Sequence, residues 1–393
     1  MITPAMRAAF AMLSGRGPAP ASILAEWNEL LAFTDRFQLT LHLRGIPGLP
    51  PRVEEEIDAR LEKNRKRRER LCESYRAASR ALDEAGVAFA LLKGLTHETG
   101  FGVCPENRVQ YDLDLLCRPE DYERAREALR RIGYAPHGGR SLSAEHGRPL
   151  VQPFEWKWRG DYYDPDMPIP IELHDSIWSA AQDRIRIDSA AFWKRRTILH
   201  VNGLAVPALS DVDRAGFAAL HVLRHVLRND ARPAHAFELA QLLRARGEDD
   251  PFWAGWRQSR EARLSVLESA GFRFAAEWFA VRGKLPRTRE QPEKIEVWFR
   301  NFAWSPIANL AGGNKDALWL HLALLDNWGD RARVVCRRLA PLRLPHANAS
   351  FGGRLRYHAA ALGPTLFNGL RWWWGRDAGS TAPRLSDWKR GSA

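Results

Sequence analysis

Arg108-Val109-Gln110-Tyr111-Asp112-Leu113-Asp114-Leu115-Leu116 places two acids one residue apart inside an apolar run. That pattern calls for a strand and a sheet. Side chains alternate along a strand, so Asp112 and Asp114 face one way while Leu113 and Leu115 enter a core on the other side. Neighbouring carboxylates repel, and each is costly to bury alone. A positive charge belongs between them, and a divalent cation with hard oxygen ligands, such as magnesium, is the usual answer.

Two further elements accompany this run. Val87-Ala88-Phe89-Ala90-Leu91-Leu92 reads as a buried strand that delivers Lys93-Gly94 to the sheet edge. Gly94 permits close backbone approach, and a helix N-terminus after it would favour anions, with Lys93 adding charge. Later, Ile171-Glu172-Leu173-His174 alternates so that Glu172 and His174 share a face. Arg108 closes a loop of Gly100, Gly102 and Pro105. It suits a phosphate clamp, because a guanidinium fork matches phosphate oxygens, or a structural salt bridge to Asp112 or another acid.

In this order the segments resemble the nucleotidyltransferase superfamily, which includes DNA polymerase beta. They are more closely similar to a bacterial group with a Leu-Lys-Gly strand end, a following Arg, an Asp-x-Asp strand and a Glu-Leu-His element. The resemblance covers residues 85 to 245. It implies an α+β fold, a small mixed sheet flanked by helices. It also implies Asp112, Asp114 and Glu172 as ligands of two magnesium ions. The donor would be an NTP, with ATP expected, and Lys93, Gly94, Arg108 and His174 would surround it. The wider superfamily has Gly-Ser where this chain has Lys93-Gly94. For His174 three roles stay open: orienting the acceptor, touching phosphate, or hydrogen-bonding Glu172. The reaction implied is transfer of NMP to a hydroxyl of a small molecule or protein, with loss of pyrophosphate. The alternative is a non-catalytic module of the same fold that engages a polyanion or a membrane surface.

The remaining sequence divides around this core. The spacing of Trp27, Leu30, Leu31 and Phe33 predicts a helix within 21–45, with Ser22 as its cap. A long helix over 51–85 opens at Pro50-Pro51 and stops at Gly86. Its centre carries Lys63, Arg65, Lys66, Arg67, Arg68 and Arg70, which is either a phosphate-binding ridge or a solvated face balanced by Glu54, Glu55, Glu56 and Glu62. Pro119, Glu120 and Asp121 start a helix that ends at Gly133, with Tyr122, Ala125, Leu129 and Ile132 buried. Residues 136–168 form a hairpin or a long loop. It holds His137 and His146, read as surface histidines, and Trp156 and Trp158, which flank a base or simply pack. Asn202-Gly203 is the turn of a hairpin over Thr197 to Leu209. Ser210 with Asp213 resembles a capping box. His221 and His225 are neighbours at i, i+4, but Val222 rules out a zinc-protease motif, which needs Glu there. His221, His225, His235 and Glu238 either line the cleft opposite the sheet or form a packing network. Further helices follow from 252 to 345, with breaks at Gly271, Pro286, Pro292, Pro306 and Gly312-Gly313. The expected division is thus 1–85 helical, 86–209 catalytic core, 210–377 helical and 378–393 disordered.

The totals narrow the partners. A net charge of +12 favours polyanions such as nucleotide phosphates, although no recognisable nucleic-acid module accompanies the site. The basic Arg331 to Arg343 segment and Arg371-Trp372-Trp373-Trp374-Gly375-Arg376 suit peripheral membrane contact or, for the tryptophans, core packing. Four cysteines without metal or redox spacing fit a reduced, cytoplasmic chain. No apolar run reaches the ~20 residues of a membrane span.

Overall fold

The structure is a computed structural model. It describes residues 2–15, 27–138, 147–283, 285–286, 288, 292–339, 362–370 and 372–373. The helices are α1 (Pro4–Leu13), α2 (Trp27–Arg36), α3 (Pro51–Glu84), α4 (Tyr122–Arg131), α5 (Ala180–Asp183), α6 (Ala190–Lys194), α7 (Asp211–Leu227), α8 (Pro233–Ala245), α9 (Asp250–Gln258), α10 (Ala262–Phe279), α11 (Glu293–Phe302), α12 (Ser305–Ala308), α13 (Ala317–Ala323) and α14 (Trp328–Leu339). The strands are β1 (Phe89–Leu91), β2 (Leu113–Cys117), β3 (Ala135–Pro136), β4 (Leu150–Val151), β5 (Ile171–His174), β6 (Thr197–Val201) and β7 (Leu204–Ala208). Among the described residues these strands make one mixed sheet in the order β3-β4-β5-β2-β1-β7-β6. The fold is α+β, as expected.

At the sheet's centre, β1 runs antiparallel to β2, and β2 runs parallel to β5 with Asp114 opposite Glu172. The pleat then sorts the side chains. Phe89, Leu91, Leu113, Leu115, Ile171 and Leu173 enter one core with the C-terminal half of α3 and with α4. Leu92 and Leu116, on the opposite face, join a larger core of helices. The acids of β2 and β5 lie on that second, helix-facing side.

Several expectations hold. The long helix is α3, and Gly86 follows it with φ 64°. The Asn202-Gly203 hairpin closes β6 on β7, with φ 51° and 71° at the two turn residues. Others need correction. The strand read over 87–92 shortens to Phe89–Leu91, although Leu92 still donates to the Asp114 carbonyl at 3.0 Å. Asp112 lies just ahead of β2 rather than inside it. Gly271 does not break the chain; it sits inside α10, where an added Cβ would collide with the Ala219 carbonyl of α7. Its lack of a side chain serves close helix packing. Asp213 does not cap α7 through its backbone. It is fully buried, accepts from Ser210 Oγ at 2.8 Å and pairs with Arg195 and Arg260, each at 2.8 Å.

The first helices do not stand alone. Phe10 of α1 packs on Phe279 of α10 and on Trp304, with ring centroids 5.1 and 5.4 Å apart. Trp372 is buried and donates to the Lys294 carbonyl at 2.9 Å, whereas Trp373 is exposed. The expectations for Ser22, His146, Arg343, Arg371, Trp374, Arg376 and the tail from Ala378 fall outside the described residues. No helix among the described residues is long and apolar enough to cross a membrane.

Candidate active site

The acids of the Asp-x-Asp run do have a cation between them, and it is an ammonium. Lys93 Nζ lies 3.5 Å from Asp112 Oδ2 and 3.1 Å from Asp114 Oδ2. β1 ends just before Lys93 and runs beside β2, so the lysine side chain crosses to the acids from the neighbouring strand. Burial works against its charge, but Asp112 and Asp114 outweigh burial and hold its pKa above the ordinary lysine range.

Glu172 and His174 come to the same place from β5. His174 Nε2 lies 3.1 Å from Asp114 Oδ1 and 3.9 Å from Glu172 Oε2. His174 is thus within hydrogen-bond distance of Asp114, a partner outside the three roles left open for it. Asp114, Glu172 and His174 can each direct one ligand atom so that all lie within 4.8 Å of one another, the reach of a single metal ion. The electrostatics divide these groups. Burial raises the Asp114 carboxyl, yet Lys93 and His174 outweigh it and leave Asp114 well below the carboxylate range. Burial and the Asp114 charge push Asp112 up despite Lys93. Burial, reinforced by Asp114 and Asp112, pushes Glu172 up to about 8. The site therefore sets a carboxyl inclined to keep its proton, Glu172, beside a low-lying acid, Asp114, and a captive ammonium.

Gly94 and Arg108 take other positions. Gly94 has φ 73°, and a Cβ there would overlap the Gln110 side chain. The helix after it is a single 3-10 stretch, Gly94–Glu98, and it is largely buried. Gln110 donates to the Asp112 carbonyl at 2.7 Å and accepts from Arg108 Nη1 at 3.1 Å. Gly94 thus leaves room for the side chain that fixes the backbone of Asp112. Arg108 pairs with Glu238 of α8, Nε to Oε1 at 3.0 Å. Glu238 also meets His97 Nδ1 at 2.7 Å, and the His97 ring stacks on Phe101. Burial raises Glu238, but Arg108 and His97 outweigh it and hold it below the usual range. The geometry seen for Arg108 is a buried salt bridge to an acid outside the Asp-x-Asp run.

The basic centre of α3 is neither a free ridge nor a simple solvated face. Lys63 pairs with Asp161 at 2.7 Å, Arg65 with Glu106 at 2.7 Å and Arg68 with Glu98 at 2.6 Å. Arg70 donates to the Pro165 carbonyl. Arg67 is buried and donates to the carbonyls of Gln110, Tyr111, Met167 and Pro168, the chain segments leading into β2 and β5. The helix is a strut beneath the acid-bearing strands. Of the expected intrahelical partners, Glu62 lies 3.6 Å from Lys66.

Opposite the sheet stand α7 and α8. Arg224 lies near enough to Glu172 to oppose the burial that raises it, whereas Lys93 lies near enough to His221 and His235 to add to the burial that lowers them. Gln110, Arg224 and His97 escape the sequence reading, and Arg67 enters it only as one cation of the basic run. His221, Arg224 and His225 occupy i, i+3, i+4, so helical spacing alone puts all three on one face. Trp156, read as flanking a base or packing, lies in irregular chain and donates to Asp164 at 2.7 Å.

No curated protein matches the chain at a significant level. Among solved structures, an antigenic nucleotidyltransferase-like protein from Paracoccidioides brasiliensis aligns at 13% identity with a TM-score of 0.30, over 54% of this chain and 94% of that one. A likeness that low carries no argument. The profile of a family described as "Uncharacterised nucleotidyltransferase" matches residues 24–280, which span α2 to α10 and every group named above. The chain belongs to that uncharacterised nucleotidyltransferase family.

Proposed function

We propose that this chain is a metal-dependent nucleotidyltransferase that moves NMP from an NTP, ATP foremost, to a hydroxyl of a small molecule or protein. The observation that carries the reading is the pairing of Asp114 with Glu172 across the parallel β2–β5 ladder, with Asp112 and His174 beside them. In the reaction the acceptor oxygen bonds to the α-phosphorus, the bond from that phosphorus to the β-phosphate bridge breaks, and pyrophosphate leaves. The hydroxyl proton passes to a site carboxylate, either Asp114 or a Glu172 whose own proton a bound cation would displace.

The donor set suits a divalent ion. Asp114, Glu172 and His174 would hold it, and Asp112 would complete an oxygen-rich site once Lys93 withdraws. Such ions supply charge stabilisation to the attacking and leaving oxygens. Lys93, released from the two acids, is placed to follow the triphosphate charge. Arg108 and Gly94 act mainly by fixing the loop that carries Asp112.

The internal pairing of α3 speaks against the alternative of a polyanion-binding module, because its cations are already engaged. The test uses ATP labelled at the α- or γ-phosphate, offered with magnesium to cell extract and to the protein itself. Transfer of the α label, lost in Glu172→Gln, is expected. Transfer of the γ label alone would replace nucleotidyl transfer with phosphoryl transfer.

A further inference from the structure

Three histidines that the nucleotidyl-transfer reading leaves unused meet in the helical wall. His221 and His225 project from one face of α7, and His235 comes from the first turns of α8. Their ligand atoms all lie within 4.8 Å of one another. His221 Nε2 and His225 Nε2 are 3.2 Å apart. Two nitrogens on a tetrahedral zinc, each about 2.0–2.1 Å from the metal, stand roughly 3.3 Å apart. The pair is therefore already at ligand spacing.

The surroundings also orient the rings. Asp230 Oδ2 lies 3.4 Å from His225 Nδ1. A proton held at Nδ1 by that carboxylate turns the bare Nε2 of His225 inward, the tautomer a metal needs. Burial works against the charged form of all three histidines. Arg224, Arg232 and Lys93 make the neighbourhood more positive, while Asp230 and Glu238 oppose them. Neutral imidazoles without carboxylate ligands suit zinc-class ions, not magnesium.

We propose that His221, His225 and His235 form a transition-metal site for a zinc-class ion, separate from the carboxylates of the sheet. Three protein ligands leave a fourth position for water or for an oxygen of a bound phosphate. The site stands whether or not the chain transfers nucleotides.

Cobalt(II) is the probe. The full chain, freed of metal by chelation and kept in excess magnesium, is titrated with cobalt and read by its visible absorption. The expected result is a tetrahedral band saturating at about one cobalt per chain, bleached by zinc. The band survives in Asp112→Asn/Asp114→Asn and disappears in His235→Gln. His225→Gln, also only half-buried, replaces that variant if circular dichroism shows it unfolded. A folded wild type with no band overturns the proposal without any variant. So does a band that His235→Gln keeps, or one lost only with the aspartates. Cobalt binding by a folded chain that no NTP stabilises in the presence of magnesium would fault the transfer reading and leave this site standing.

Discussion

Lys93 Nζ sits 3.1 Å from Asp114 Oδ2, inside the space where two acids in sequence call for a metal. The protein carries its own counterion there. On the proposed metal-dependent reading, a dication would have to compete with this ammonium for the same two carboxylates.

Removing that ammonium should expose the conflict. Lys93→Met leaves Asp112 and Asp114 buried beside each other, and breaking a buried ion pair costs roughly 3–5 kcal/mol. Thermal melts should show a large loss that magnesium restores far more in the variant than in wild type. A variant that melts like wild type, or one indifferent to magnesium, would contradict the competition.

Gly94→Ala strains a left-handed residue, which costs about 1–2 kcal/mol. It also drives Gln110 off the Asp112 carbonyl. Because both changes act on one hydrogen bond, Gly94→Ala and Gln110→Ala should destabilise less together than the sum of each alone, by about 0.5 kcal/mol or more. Strict additivity in denaturant melts would separate the two residues.

Arg67 ties four carbonyls ahead of β2 and β5. Arg67→Ala should cost several kcal/mol, since each buried carbonyl left without a donor costs about 1–3 kcal/mol. Arg67→Lys should recover little, because one ammonium cannot span the fork. Full rescue by lysine in urea melts would argue that charge alone matters.

At Gly271, helix propensity and packing oppose each other. Alanine gains about 1 kcal/mol in a helix interior. Its methyl, however, would enter the Ala219 backbone of α7, which cannot step aside as a flexible side chain can. Overpacking of about 1–3 kcal/mol should win, so Gly271→Ala lowers the melting temperature. A rise would show the α7–α10 contact to be looser than the structure has it.

Acid should unfold the protein through its buried histidines. Burial lowers His42 and His321 to about 4, while the unfolded chain titrates near 6.5. Between pH 6.5 and 4 the unfolded chain binds protons that the folded one refuses, so stability falls as pH falls through this window. Each such histidine contributes on the order of 1–3 kcal/mol. His321→Gln keeps a donor for the Asp183 carbonyl and should flatten the slope. An unchanged slope would remove His321 from the account.

What the sequence made legible followed from short-range rules. Alternation placed Asp112 with Asp114 and Glu172 with His174, and turn chemistry placed Asn202-Gly203 and Gly86. What it hid depended on distant partners. Nothing near Arg108 in sequence announces Glu238, and nothing near Arg67 announces the Met167 carbonyl. Gly271 read as a break because a glycine that permits close packing and one that ends a helix look alike until the facing helix is known. The basic run of α3 reads as a surface because most of its partners, those of Lys63, Arg67, Arg68 and Arg70 among them, lie 30 to 101 residues away.

The most direct measurement of the central claim is thermal stability with each NTP, with and without magnesium, in wild type and in Asp112→Asn/Asp114→Asn. A ligand at 100 times its dissociation constant adds about 2.7 kcal/mol. The account predicts a magnesium-dependent rise with at least one NTP in wild type and none in the folded double variant. A folded wild type that no NTP stabilises, or a rise that the double variant keeps in full, would contradict it.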